Sequence, residues 1–193
     1  MKWKRWEVAL GLALMIMIVF AAPIQAQRTL AEKITRLHVL ANSDLPEDQK
    51  LKLKVRDAVL HVAADHPVLD ASVLYEMEVA ARKVIAREGY LYPVSVQRER
   101  EYFDTRVYET FALPAGEYDS VRVVIGEGNG KNWWCVVYPQ LCAGLCEAEM
   151  KEIALAAGLE KKEISLICEE KGYIIQFKLA EFLGKILHRM DSL

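Results

Sequence analysis

Seven residues, Asn132 to Tyr138 (NWWCVVY), restrict the fold more than any other stretch of this chain. In an extended segment side chains alternate, so Trp133, Cys135 and Val137 point one way and Trp134, Val136 and Tyr138 the other. Both sets are apolar. Such a strand lies between two layers, or between one layer and a surface that receives a partner. Two adjacent tryptophans can anchor either a core or an interface.

The strand sits inside GEGNGKNWWCVVYPQLC, residues 126–142, whose glycines invite a nucleotide-binding reading. A dinucleotide fingerprint would need a third glycine at position 131, where Lys131 stands. A phosphate loop ending at Gly130-Lys131 would need glycine at 125 and Ser or Thr at 132, where Ile125 and Asn132 stand. Asn129-Gly130 between two apolar runs instead predicts a tight hairpin.

Cys135 raises two further readings. As a nucleophile it would need a base, and none of His38, His61, His66 and His188 has a sequence context that marks it as one. As half of a disulfide it pairs most simply with Cys142. The two stand roughly 23 Å apart if extended at about 3.3 Å per residue, and a turn at Pro139-Gln140 closes the gap. Cys146 and Cys168 are then left over, and four cysteines permit three pairings. Their spacings, without C-x-x-C, argue against a zinc site. No G-x-S-x-G, H-E-x-x-H or calcium-loop pattern occurs, so the sequence names no catalytic residue, metal or cofactor.

The N-terminus supplies the compartment. Lys2, Lys4 and Arg5 precede an uncharged apolar run of 15 residues, Val8 to Ala22, short of the roughly 20 a spanning helix needs. This predicts a secretory signal over residues 1–26, cut after Ala26; an uncleaved leader would instead tether the chain to the membrane. Three of the 25 basic and one of the 27 acidic residues belong to it, which leaves 27–193 at −4. With no basic patch among interleaved aromatics, nucleic acid is not an expected partner. Residues 27–193 suffice for one domain.

Along that domain, Ile34 to Ala41 reads as a buried strand. Asp44 and Glu47 form a candidate capping box around Pro46, opening a helix to about Ala64 with Leu51, Val55, Ala58, Val59 and Val62 inward. A second helix spans about Asp70 to Glu88, stopped by Gly89. The period then changes to two: strands at Tyr92–Val96, Tyr102–Leu113, Ser120–Gly126 and Trp133–Tyr138, the first two separated by a charged turn at Arg98–Glu101. A helix near Glu147–Ala157, a strand pair at Ile164–Cys168 and Tyr173–Phe177 about a turn at Glu170–Gly172, and a final helix to about His188 complete the chain. The expected class is α+β, with helices covering one face of a largely antiparallel sheet.

Two blocks, ITRLHVLANSDLPEDQKLKLKVRDAVL (34–60) and LPAGEYDSVRVVIGEGNGKNWWCVVYPQLC (113–142), resemble the stage II sporulation protein R family of endospore-forming Firmicutes. The resemblance covers about 34–142, and residues 143–193 diverge. It implies a signal rather than a reaction. Family members are made in the forespore and exported into the space between forespore and mother cell. There they activate a membrane-embedded aspartic protease of the septum, which processes pro-sigma-E. Asn42, Asp44, Glu47 and Asn132, Trp133, Trp134 and Cys135 fall on the matching blocks. The expected partner-binding residues are Asn42, Asp44, Glu47, Asn129, Lys131, Asn132, Trp133 and Trp134. The alternative reading is an exported hydrolase acting on cell wall or peptide through Cys135.

Overall fold

A computed structural model describes residues 27–66, 68–141 and 146–168, together with Gly11. The expected leader, Cys142, the 170–172 turn, the second strand of the terminal pair and the final helix lie outside the described residues. Among the described residues no helix is long and apolar enough to cross a membrane.

Helical residues 27–33 (α1) lead into β1 (Thr35–Leu40), α2 (Pro46–Ala64) and α3 (Ala71–Arg87). Then come β2 (Val94–Phe103), β3 (Arg106–Val107), β4 (Ala112–Leu113), β5 (Gly116–Ile125) and β6 (Asn132–Tyr138). Helices α4 (Glu147–Ala156) and α5 (Lys161–Cys168) follow. The main sheet runs β2-β5-β1-β6; β1 is parallel to β5, and the other pairs are antiparallel. The class is α+β.

Alternation along the strands builds two cores. Leu37, Val39, Val94, Val96, Val121, Val123, Ile125, Cys135 and Val137 meet α2 and α3 through Leu51, Val55, Val59, Val73, Met77, Ala81 and Ile85. These helical residues recur at spacings of four, one face of a 3.6-residue period. On the opposite side Phe103, Tyr118 and Val136 meet α1, α4 and α5 through Leu30, Met150, Ala154, Ile164 and Ile167. Burying one such aliphatic side chain is worth about 1.5–3 kcal/mol. Helices therefore cover both faces of the sheet, not one, as the two-sided apolar β6 requires. Tyr138 breaks that strand's alternation. The β1–β6 register shifts between Thr35 and Arg36, and Tyr138 falls on the α2–α3 side together with Val137.

The expected hairpin at Asn129-Gly130 does not form. β1 lies between β5 and β6, so residues 126–131 cross its end over two strand spacings, about 9.5 Å, where a two-residue turn reaches one. Positive φ falls at Gly126 and Gly128. Arg98–Glu101 is strand rather than turn, because every residue of β2 pairs with β5 and the charges match across the ladder. Arg98 meets Asp119 at 2.6 Å and Arg122 meets Glu99 at 3.3 Å. The expected strand Tyr102–Leu113 is instead the end of β2 and the short β3–β4 pair, which Tyr108 N–H to Phe111 C=O closes. Ile164–Cys168 is helical in α5: Ile164 and Ile167 share one face, and Glu163 accepts from the Glu160 N–H at 2.7 Å at the helix start.

Candidate functional site

At the C-terminal ends of β1 and β5, two loops that are about 85 residues apart in sequence close on each other. Asn42 Oδ1 accepts the Glu127 N–H at 3.0 Å, and the Asn42 carbonyl accepts the Asn129 N–H at 3.2 Å. The Ala41 carbonyl takes the Gly130 N–H at 2.9 Å, and Asp44 Oδ1 takes the Lys131 N–H at 2.6 Å. Lys52, buried on α2, donates to the Lys131 carbonyl at 2.8 Å. The approach is so close that a side chain at Gly126 would strike Asn42, and one at Gly130 would strike the Ser43 backbone.

This arrangement redirects the expected helix cap. Pro46 at the first helical position makes Leu45 the N-cap, which has no side-chain cap bond, and places Asp48, not Glu47, at the third position. Asp44 turns away to Lys131. Asp48 reaches back instead, accepting from Asn42 Nδ2 at 2.9 Å and Ser43 Oγ at 2.6 Å. Burial pushes its carboxyl up, but hydrogen bonds from Ser43, Asn42 and Tyr92 outweigh this and hold it below the ordinary range.

A second constellation lies on the sheet face opposite α2 and α3. His38, 3 % exposed, stacks on Trp134 with centroids 5.0 Å apart and planes 11° from parallel. Its Nε2 stands 2.8 Å from Glu101 Oε1 and 3.8 Å from Glu99 Oε1; its Nδ1 stands 2.9 Å from Asn132 Nδ2. Ser120 Oγ donates to Glu101 Oε1 at 2.8 Å. Burial lowers the His38 pKa, against the Glu101 carboxylate that raises it. Next along β1, Arg36 is fully buried over the rings of Phe103 and Tyr118 and donates to the Tyr108 hydroxyl at 3.0 Å.

The eight expected partner-binding residues do not form one patch. Asn42, Asp44, Asn129 and Lys131 meet at the loop junction, and Glu47 lies exposed beside it at the start of α2. Asn132 and Trp134 belong to the His38 constellation. Trp133 packs on the other side of the sheet, with the Arg56 guanidinium 4.8 Å from its ring centre. Nothing in the sequence marks Lys52, Glu99, Glu101 and Ser120 as site residues, and Asp48 stands in it only as the end of the polar loop Asn42–Asp48. One signal was present: Arg36 and His38 alternate as polar residues within an otherwise apolar strand.

Cys135 is fully buried and disulfide-bonded; its expected partner Cys142 lies outside the described residues. A sulfur committed to a disulfide and shut away from solvent is no thiolate nucleophile, so the hydrolase reading loses the group it needed. Cys146 and Cys168 carry thiols.

The family model of stage II sporulation protein R matches residues 31–147. A curated relative, the Stage II sporulation protein R of Bacillus subtilis (strain 168), is 35% identical over 121 residues. The match covers 58% of this chain and 54% of the relative, so the chain spans about half the length of that protein. No solved structure matches.

Proposed function

This chain belongs to the stage II sporulation protein R family, and we propose on that premise that it is an exported messenger of sporulation. It leaves the forespore by the signal at residues 1–26 and acts in the space between forespore and mother cell. There it binds the outward-facing part of a membrane-embedded aspartic protease and shifts it to the form that processes pro-sigma-E. It performs no chemistry of its own. A preference for the active receptor of a few kcal/mol is sufficient to move such an equilibrium.

The observation that carries this reading is the junction of the two loops. Both blocks that resemble the family pass through it, and the amides of 127–131 bond to Asn42, Ala41 and Asp44, leaving Glu47, Glu127 and Lys131 side chains on a fixed frame. A surface held this firmly loses little conformational freedom on binding. Leu45 and Leu91, 61% and 99% exposed, add apolar contacts on the adjoining loops.

Purified residues 27–193 applied to cells that carry the membrane protease and its substrate should trigger cleavage of pro-sigma-E. Alanine at Glu47, Glu127 and Lys131 together should abolish processing while secretion and folding are unchanged. Normal processing by that triple variant would remove the junction as the contact surface. Failure of the wild-type fragment to elicit cleavage would remove direct activation itself.

A further inference from the structure

We propose that His38, Glu99 and Glu101 form a binding site for a divalent transition-metal cation, with His38 Nε2 and one oxygen of each carboxylate as ligands. The three donor atoms lie within 4.8 Å of one another, with His38 Nε2 2.8 Å from Glu101 Oε1 and 3.8 Å from Glu99 Oε1. Around a cation bound at about 2.0–2.2 Å, neighbouring ligand atoms stand about 3–3.5 Å apart. The two distances from His38 Nε2 lie within a few tenths of an ångström of that spacing. They come from alternate positions of β2, which share a face, and from β1, so the sheet itself fixes them; β5 separates the two strands and contributes Ser120 beneath.

Asn132 supplies an independent observation. Its Oδ1 is buried and has no hydrogen-bond partner, while its Nδ2 faces His38 Nδ1 at 2.9 Å. In that arrangement Nδ1 accepts, so the imidazole proton sits on Nε2 and points at Glu101. Turning the amide over places Oδ1 against Nδ1, satisfies the orphaned oxygen and moves the proton to Nδ1. Nε2 then presents a lone pair between the two carboxylates, the tautomer a metal requires. No net proton leaves the imidazole in this exchange.

The outer contacts match those of a built site. Ser120 Oγ holds Glu101, Arg122 Nη1 holds Glu99 at 3.3 Å, and Trp134 fixes the plane of the imidazole. Both carboxylates are partly exposed, 31% and 26%, which leaves an entry path and open coordination positions toward solvent. One imidazole and two carboxylates, without thiolate, suit Zn2+ or Mn2+ above Ca2+. Two carboxylates this close also repel. A dication bound between them relieves that conflict.

Mn2+ is the suitable probe, because an exposed thiol such as Cys146 would compete for Zn2+. Purified residues 27–193, titrated with Mn2+ and followed by the free-ion electron paramagnetic resonance signal, should bind one ion per chain below about 1 mM. Glu99→Gln and Glu101→Gln should each weaken binding at least about tenfold, with circular dichroism unchanged. Mn2+ should also raise the melting temperature of the wild type but not of these variants. Absence of saturable binding, or binding that both variants retain at wild-type affinity, would overturn the site. None of these readouts involves the protease, so the site stands or falls apart from the signalling role.

Discussion

Asp48 is a carboxylate turned inward beneath a loop and then surrounded by donors. Its side chain is 2% exposed, yet Asn42, Ser43 and Tyr92 all donate to it, and the hydrogen bonds prevail over burial. Its folded pKa therefore lies below the ordinary 3.8. The unfolded chain takes up the proton first as pH falls, so the stabilisation is fully present above 3.8 and is lost below it. Asp48→Asn removes the negative charge from the acceptor that Asn42 and Ser43 share and should cost about 1–3 kcal/mol in urea unfolding at neutral pH. It should also flatten the acid limb of a stability–pH curve below about pH 4. An unchanged acid limb would show that other carboxyls set it. The sequence LPEDQ offered two acids and a proline, and the pattern alone favoured Glu47 as the partner of Asp44. What it lacked was the position of the crossing loop, which recruits Asp44 to Lys131 and leaves the inward role to Asp48.

At the scale of elements, α2 and α3 were legible because their apolar residues recur with helical spacing and strong stops bound them. Asp70 caps α3 through the Ser72 and Val73 N–H groups, and Gly89 ends it with φ +83°. β2 was misread at Arg98–Glu101, where charges pair across the ladder and look like turn residues in one dimension. α5 was misread for another reason. ISLIC is a short apolar run that suits either strand or helix, and only its docking decides. The deciding contact is Glu163, 1% exposed, which accepts from Lys33 at 2.8 Å and from the Glu160 N–H. Burial pushes that carboxyl up, but Lys33 and the Glu160 N–H hold it below its ordinary value. Glu163→Gln leaves Lys33 without its anion and weakens the start of α5. Urea unfolding should show a loss of about 1–3 kcal/mol at pH 7, shrinking as pH falls below about 4. A loss that is the same at pH 3 and pH 7 would mean that shape, not charge, is what Glu163 contributes.

For the whole molecule the consequence of topology is that β1 belongs to everything. It pairs with both β5 and β6, gives Leu37 and Val39 to one core and Arg36 and His38 to the other face, and ends in the segment that holds residues 126–131. None of this was readable from period or composition, since pairing between segments some 85 residues apart leaves no local trace. The sequence reading therefore joined β5 to β6 by the nearest turn. The topology has a consequence for exchange with solvent. Loop amides normally exchange quickly, because they open without disturbing the core. Here the N–H groups of Glu127, Asn129, Gly130 and Lys131 are bonded to Asn42, Ala41 and Asp44, which directly follow β1. Releasing them means pulling the end of β1 away from its neighbours. Hydrogen–deuterium exchange should find the amides of 129–131 protected nearly as well as those of 37–40, and far better than those of the turn at 109–110. Asn42→Ala removes the acceptor for Glu127 and one donor to Asp48, so it should speed exchange across 127–131 while β2 and α3 keep their protection. If 129–131 exchanged as fast as 109–110 in the wild type, the two loops would not be a fixed frame.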